Sequence, residues 1–317
     1  MERLVTSSSA RMGRWELFVR RLKRIWPLYI IMLPGLLVTT IFAYGPMYGA
    51  IIAFKDYKIA KGIWGSEWVG LKWFKKFIDY YQFETLIINT LRISIYNIVA
   101  TMVVAILLAL MLHCVRNKTA KSVLQTIMYL PHFVSIVVMV GTLIRFLNPS
   151  MGIISKLIQS LGGTSRDLMG VPSAVPHLYV WSGIWQNAGW STILYLAALT
   201  AVDPELHEAA IVDGASRFKR VIHIDIPAII PVIVISLIMN MGKVLTVGTD
   251  KILLMQNDLN RTTTEVITSY VYNQGIAAAS PKYSYATAIG LMNSLLSFVL
   301  IVVVNQICKK VNETSLF

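Results

Sequence analysis

From Leu28 to Phe54 the chain runs for 27 residues without one charged side chain. A helix of that length reaches about 40 Å, more than the roughly 30 Å hydrocarbon core of a bilayer. Five further apolar runs follow, at approximately Leu86–Leu112, Val123–Leu147, Leu178–Thr200, Ala228–Val247 and Tyr285–Ile307. Each is long enough to span, and in lipid a helix satisfies all of its backbone polar groups internally. The expected fold is an all-α integral membrane protein with six transmembrane helices. Composition agrees, with 56% hydrophobic and only 14% charged residues, against roughly 25% charged in soluble domains. The first run is too long for the apolar region of a cleaved signal peptide and is read as a span.

Basic residues set the expected orientation. Arg3, Arg11, Arg14, Arg20, Arg21, Lys23 and Arg24 precede the first run; Arg116, Lys118 and Lys121 fall between the second and third; Lys309 and Lys310 follow the sixth. Positive charge favours the cytoplasmic side, which places both termini inside. Six lysines in the first external loop (Lys55, Lys58, Lys61, Lys72, Lys75, Lys76) run against this pattern. The expected organisation is a basic cytoplasmic segment over residues 1–27, a six-helix domain over 28–308 and a cytoplasmic tail over 309–317. The net charge of +13 flanks apolar runs rather than forming a stripe, which fits anionic lipid and not nucleic acid. Cys114 and Cys308 fall at cytoplasmic ends of runs and are expected as reduced thiols, with no C-x-x-C metal spacing.

The most informative stretch is the cytoplasmic segment 201–227. Asp203 is a good helix N-cap and Pro204 suits the first helical position. Ala209 and Ala210 keep one face thin enough for another backbone to approach. Gly214 supplies a turn at positive φ. Ser216 can cap a second short helix that ends before Pro227.

The pattern Glu208-Ala209-Ala210, then Asp213-Gly214-Ala215, then Ile224-x-x-Pro227 resembles the EAA loop of permeases of binding-protein-dependent ABC importers. Ile226, where leucine usually precedes the proline, is the one departure. Trp26-Pro27-Leu28-Tyr29, Leu33-Pro34-Gly35, Pro46-Met47-Tyr48-Gly49, Ala53-Phe54-Lys55-Asp56-Tyr57, Gly65-Ser66-Glu67-Trp68-Val69-Gly70 and Tyr129-Leu130-Pro131-His132-Phe133 resemble the carbohydrate-type branch, which imports oligosaccharides released from complex polysaccharides. The resemblance implies a type I ABC importer permease fold in a bacterial cell membrane. It also implies a coupling helix that docks on the ATPase, with Glu208, Ala209, Ala210, Asp213, Gly214, Ala215 and Arg217 in the coupling role. Arg217, Lys219 and Arg220 can instead hold lipid phosphates. The implied partners are a second homologous permease, a dimeric cytoplasmic ATPase, an external solute-binding protein, an oligosaccharide and membrane lipid. The chain lacks a G-x-x-x-x-G-K-[ST] loop and hydrolase motifs such as G-x-S-x-G. It is therefore expected to be no enzyme and to bind no cofactor, with ATP and Mg held by the partner ATPase chains.

Polar side chains at mid-depth of a span face a cavity or a neighbouring helix. His132 and Ser135 on the third run, Trp185, Gln186, Asn187 and Trp190 on the fourth, and Asn240 and Lys243 on the fifth are the candidate solute pathway. Amides bond sugar hydroxyls and aromatic rings cover apolar sugar faces. The same amides also serve as glue between helices, and the sequence leaves both roles open. Tyr96, Asn97 and Asn293 are weaker candidates. A permease of the same type for a non-sugar solute remains an alternative. So does a secondary transporter, for which neither an inverted repeat nor an interrupted helix is detected.

Overall fold

The computed structural model describes residues 14–312, with side-chain environments over residues 25–310. Arg3 and Arg11 of the basic N-terminal segment, and residues 313–317 of the expected tail, lie outside the described residues. Helix α1 (Arg14–Thr39) continues through a π-turn at Thr40–Tyr44 and tighter turns. The result is one helical path from Ile25 to Phe54, with none of its most apolar window buried. A small layer follows, in which strands β1 (Lys55–Asp56) and β2 (Glu67–Trp68) pair antiparallel, Lys55 opposite Trp68. The bundle then comprises α2 (Phe83–His113), α3 (Lys118–Tyr129), α4 (Ile136–Leu147) and α5 (Val175–Thr200). After it come α6 (Pro204–Val212), α7 (Arg217–Arg220), α8 (Ile226–Met241), α9 (Thr249–Met255) and α10 (Tyr283–Asn312).

Among the described residues, four helical paths are long and apolar enough to cross a membrane: Ile25–Phe54, Phe83–His113, Arg217–Met241 and Tyr283–Lys310. A fifth is the pair α3–α4, taken as one broken span. Helix α5 has spanning length at 26 residues, but its tryptophans and amides dilute its apolar character.

Two expectations are corrected. The third run is not one helix. Its halves, Lys118–Phe133 and Ile136–Leu147, are bent by 93°. Pro131 has no N–H to give and its ring crowds the preceding turn. Leu130–Phe133 tightens into a 3₁₀ turn, and Val134 and Ser135 are extended. The fifth helix lies further toward the N-terminus than its apolar run. The path Arg217–Met241 ends at Gly242, so Asn240 stands in its last turn and Lys243 beyond it, not at mid-helix.

The core forms where α5 lies along α2. Ile93, Val180, Ile184 and Ala188 meet Met139 and Val140 of α4 and Ile252 of α9. Toward the other end, Ala105 and Ala109 of α2 pack with Leu196 and Leu199 of α5 and Ile229 of α8. A third cluster (Phe77, Leu86, Ile267, Tyr270, Tyr285, Ile289) lies beside the small β layer. Small residues let backbones approach where no hydrophobic effect draws helices together. At Gly189 the approach is closest, since a β-carbon there would sit 2.6 Å from the Met128 carbonyl carbon. Gly189→Val therefore forces α3 away from α5. We expect a loss of about 1–3 kcal/mol, read as a lower melting midpoint of the purified chain in detergent. An unchanged midpoint would show that α3 moves freely.

Candidate functional site

The break between α3 and α4 organises the predicted polar residues. A carbonyl freed from a helix ladder inside a membrane needs another donor. Gln186 Nε2 on α5 donates to the Val134 carbonyl at 2.7 Å, and Gln186 is buried. Beside it, His132 Nδ1 lies 3.0 Å from Asn187 Oδ1. The His132 ring stacks on Trp190 at 4.6 Å between centroids, within 8° of parallel. Asn187 Nδ2 also donates to the Gly183 carbonyl. The structure thus brings together four candidates, His132, Gln186, Asn187 and Trp190. Gln186 and Asn187 are occupied in holding the bend. Ser135 is the extended, exposed residue that opens α4. Trp185 faces elsewhere, into an apolar hollow of about 410 Å³ with Phe146, His177 and Trp181.

Trp190 turns its other surroundings toward a larger cavity. This space, about 520 Å³, is lined by Asn97, Thr101, Trp190, Ser191, Tyr195, Ser236 and Asn240 among others. A second space of about 190 Å³ shares Asn97 and Asn240 with it and adds Ser94, Tyr179, Lys243 and Thr246. Asn240 and Lys243 are therefore at one cavity, as their spacing suggested, though at the end of α8. The Ser94 and Ser236 hydroxyls are buried without a hydrogen-bond partner. Sequence reasoning gave Asn97 low weight and missed Ser94; serine at a helix interface is too common a signal to single out. Asn293, the other weak candidate, donates to the Leu245 carbonyl at 3.1 Å and ties α10 to the end of α8. Behind the cavity wall, Lys251 Nζ donates to the Tyr179 carbonyl at 2.6 Å and lies 4.5 Å from that ring's centre. Burial pulls this ammonium down to about 8, because the low-dielectric surroundings disfavour its charged form.

The segment 201–227 folds as its residues direct. Asp203 accepts from the Glu205 N–H at 2.9 Å and opens α6. Gly214, at φ +75°, closes it. The Ala215 N–H reaches the Ala210 carbonyl and the Gly214 N–H reaches the Ile211 carbonyl, the paired bonds of a Schellman turn. Ser216 caps α7 through the Lys219 N–H. Glu208, Ala209, Asp213 and Arg217 are exposed, and Ala210 and Ala215 are half-buried. Leu206, Ile211, Val212 and Phe218 are also exposed, Val212 by 88%. Isolated apolar residues need no explanation, but four on one short segment mark a surface made for contact.

Residues 101–313 match the family described as binding-protein-dependent transport system inner membrane component. The chain belongs to this family. It is 41% identical to protein LplB of Bacillus subtilis (strain 168) over 305 residues, covering 96% of this chain and 95% of that protein. The polygalacturonan/rhamnogalacturonan transport system permease protein YteP of the same organism is 40% identical over 290 residues, 92% and 90% of the two chains. A chain of the crystal structure of a bacterial alginate ABC transporter, in complex with an alginate pentasaccharide-bound periplasmic protein, superposes with a TM-score of 0.84. It is 34% identical and covers 94% of this chain and 99% of that one. This inner membrane component therefore has the type I ABC permease fold and is a multi-pass membrane protein. An interrupted helix, which the sequence did not reveal, is present in it, so that feature does not separate it from secondary transporters; family membership does.

Within the permease, Gln186 and Asn240 separate the two roles of a membrane amide. Gln186→Leu leaves the Val134 carbonyl without a donor, at a cost of about 1–3 kcal/mol. The expected readout is a lowered melting midpoint, with uptake per folded molecule retained. Loss of uptake at full stability would instead put Gln186 in the pathway.

Proposed function

We propose that this permease is one half of the membrane pathway of an ATP-driven importer that takes up oligosaccharides. The cavity around Asn240 carries the reading. Two amides donate and accept as sugar hydroxyls require, Ser236 adds an unpartnered hydroxyl, and Trp190 offers a broad apolar ring. Lys243 at the adjoining space adds a cation suited to a uronic-acid carboxylate. One solved relative takes part in import of the acidic polysaccharide alginate, which supports that class of solute.

In this reading a second, homologous permease completes the pathway, and an external solute-binding protein delivers the oligosaccharide. A cytoplasmic ATPase dimer holds ATP and Mg. The fold crosses a bacterial cell membrane six times, with α5 and the broken α3–α4 pair among the spans and both termini cytoplasmic. The segment α6–α7 is the coupling element, with Glu208, Ala209, Ala210, Asp213, Gly214, Ala215 and Arg217 at or beside its docking face. The exposed apolar set of Leu206, Ile211, Val212 and Phe218 supports docking into a groove on the ATPase.

Two substitutions test the two ends of this machine in proteoliposomes carrying the assembled importer. Asn240→Leu should cut oligosaccharide uptake by about one to two factors of ten, the equivalent of one lost buried amide partner, with the ATPase still attached. Glu208→Lys should abolish uptake while solute affinity of the external binding protein stays unchanged. Normal uptake by Asn240→Leu would remove the cavity from the pathway, and normal uptake by Glu208→Lys would remove coupling from this segment.

A further inference from the structure

A second cluster of chemistry-bearing side chains lies at the root of the coupling segment. His113 ends α2, His207 sits on α6 one residue before Glu208, and Asp225 precedes α8. His207 Nε2 is 3.2 Å and His113 Nε2 is 3.8 Å from Asp225 Oδ1. One ligand atom from each residue can be chosen so that all three lie within 4.8 Å of one another. The Asp225 side chain is only 3% exposed, and Oδ1 makes these two ion-pair contacts but no aligned hydrogen bond. Among the described residues nine buried side-chain atoms lack a hydrogen bond, and four of them belong to residues lining this pocket: His113 Nδ1, Arg220 Nε, and the ion-paired His207 Nε2 and Asp225 Oδ1. Buried polar groups are rarely left so, and a concentration of them calls for an occupant.

We propose that His113, His207 and Asp225 form a site for one transition-metal dication of the Zn²⁺ class, which staples the coupling segment to the helix bundle. With Zn–N near 2.0–2.1 Å and Zn–O near 2.0–2.2 Å, tetrahedral ligand atoms lie about 3.4 Å apart. The two Nε2–Oδ1 distances, 3.2 and 3.8 Å, bracket that spacing, and all three residues offer ligand atoms within 4.8 Å of one another. Two imidazoles and one carboxylate select such ions over Mg²⁺ or Ca²⁺, which take oxygen ligands. The fourth position opens into a pocket of about 200 Å³ that Arg116, Arg217 and Arg220 also line. Those arginines oppose a cation and make a bound anion, such as phosphate, the rival occupant. The Asp225 carboxylate argues against it at this point, because an anion seated between the two imidazoles would face a like charge. The three ligands come from α2, α6 and the entry to α8. A metal therefore locks α6 to both helices and restrains its movement.

The restraint on transport rests on α6 being the coupling helix; metal binding does not. The test uses the full-length permease in nanodiscs, titrated with ZnCl₂, with metal content measured after gel filtration. One zinc per chain is expected. Amide exchange across residues 204–212 should slow about 100-fold at free zinc 100-fold above its Kd. His113→Gln and His207→Gln should each weaken binding at least about tenfold, since loss of even an outer-shell partner costs that much. Cys114→Ser, which alters a thiol lining the same pocket, should keep full affinity, and MgCl₂ should protect nothing. A folded wild-type chain that takes up no zinc, zinc retained by the His113→Gln/His207→Gln double variant, or protection by inorganic phosphate instead of zinc would each overturn the site. These readouts involve no transport, so a failed coupling role leaves them intact. Wild-type metal content and exchange also decide the matter should a variant fail to fold.

Discussion

Inside a bilayer a carbonyl that loses its helical partner has no water to turn to. Pro131 creates that situation between α3 and α4, and the 2.7 Å bond from Gln186 to Val134 resolves it. Much of the architecture follows from this contact. The bend turns α4 away from α3 by 93°. It brings the His132 ring onto Trp190, and so fixes one wall of the cavity that Asn97 and Asn240 complete. The approach of α3 to α5 that makes the bond reachable depends on Gly189 having no side chain. A single proline, a single amide and a single glycine thus set the path of α3 and α4 beside α5.

The sequence was legible wherever structure is local. Asp203, Gly214 and Ser216 predicted their caps and turn because each acts on backbone groups two to five residues away. The apolar runs located the long helices because lipid imposes a length and excludes charge. Two things were not legible. The break in the third run depended on whether Pro131 would be absorbed as a kink or would end the helix, which a donor on another helix decides. The end of α8 was misplaced because residues 242–247 are mostly apolar yet leave the helix, tied down by Asn293 of α10 at the Leu245 carbonyl. Asp225 escaped notice for a related reason. A lone acid before Ile226-Pro227 looks like an ordinary helix start until His113, far away in sequence, is seen beside it.

The candidate pathway divides along the same line. Amides that meet a freed backbone group, Gln186 above all, belong to the scaffold. Amides and hydroxyls such as Asn97, Asn240 and Ser236 line open space instead. Residue type cannot make that distinction, because both roles require a donor and an acceptor at the same depth. The geometry of the partner makes it.

The long path from Ile25 to Phe54 has none of its most apolar window buried by the rest of the chain. Residues 26–48 of that path are exposed, so packing within the chain constrains them little, whereas the path turns inward at its end: Ala53 is fully buried and the Phe54 ring stacks on Trp68. Positions in the α2–α5 interface are bound by shape as well. The family's shared pattern begins at residue 101, within α2, and runs to residue 313. It leaves this exposed helix out, although the likeness to LplB, over 96% of the chain, extends along it.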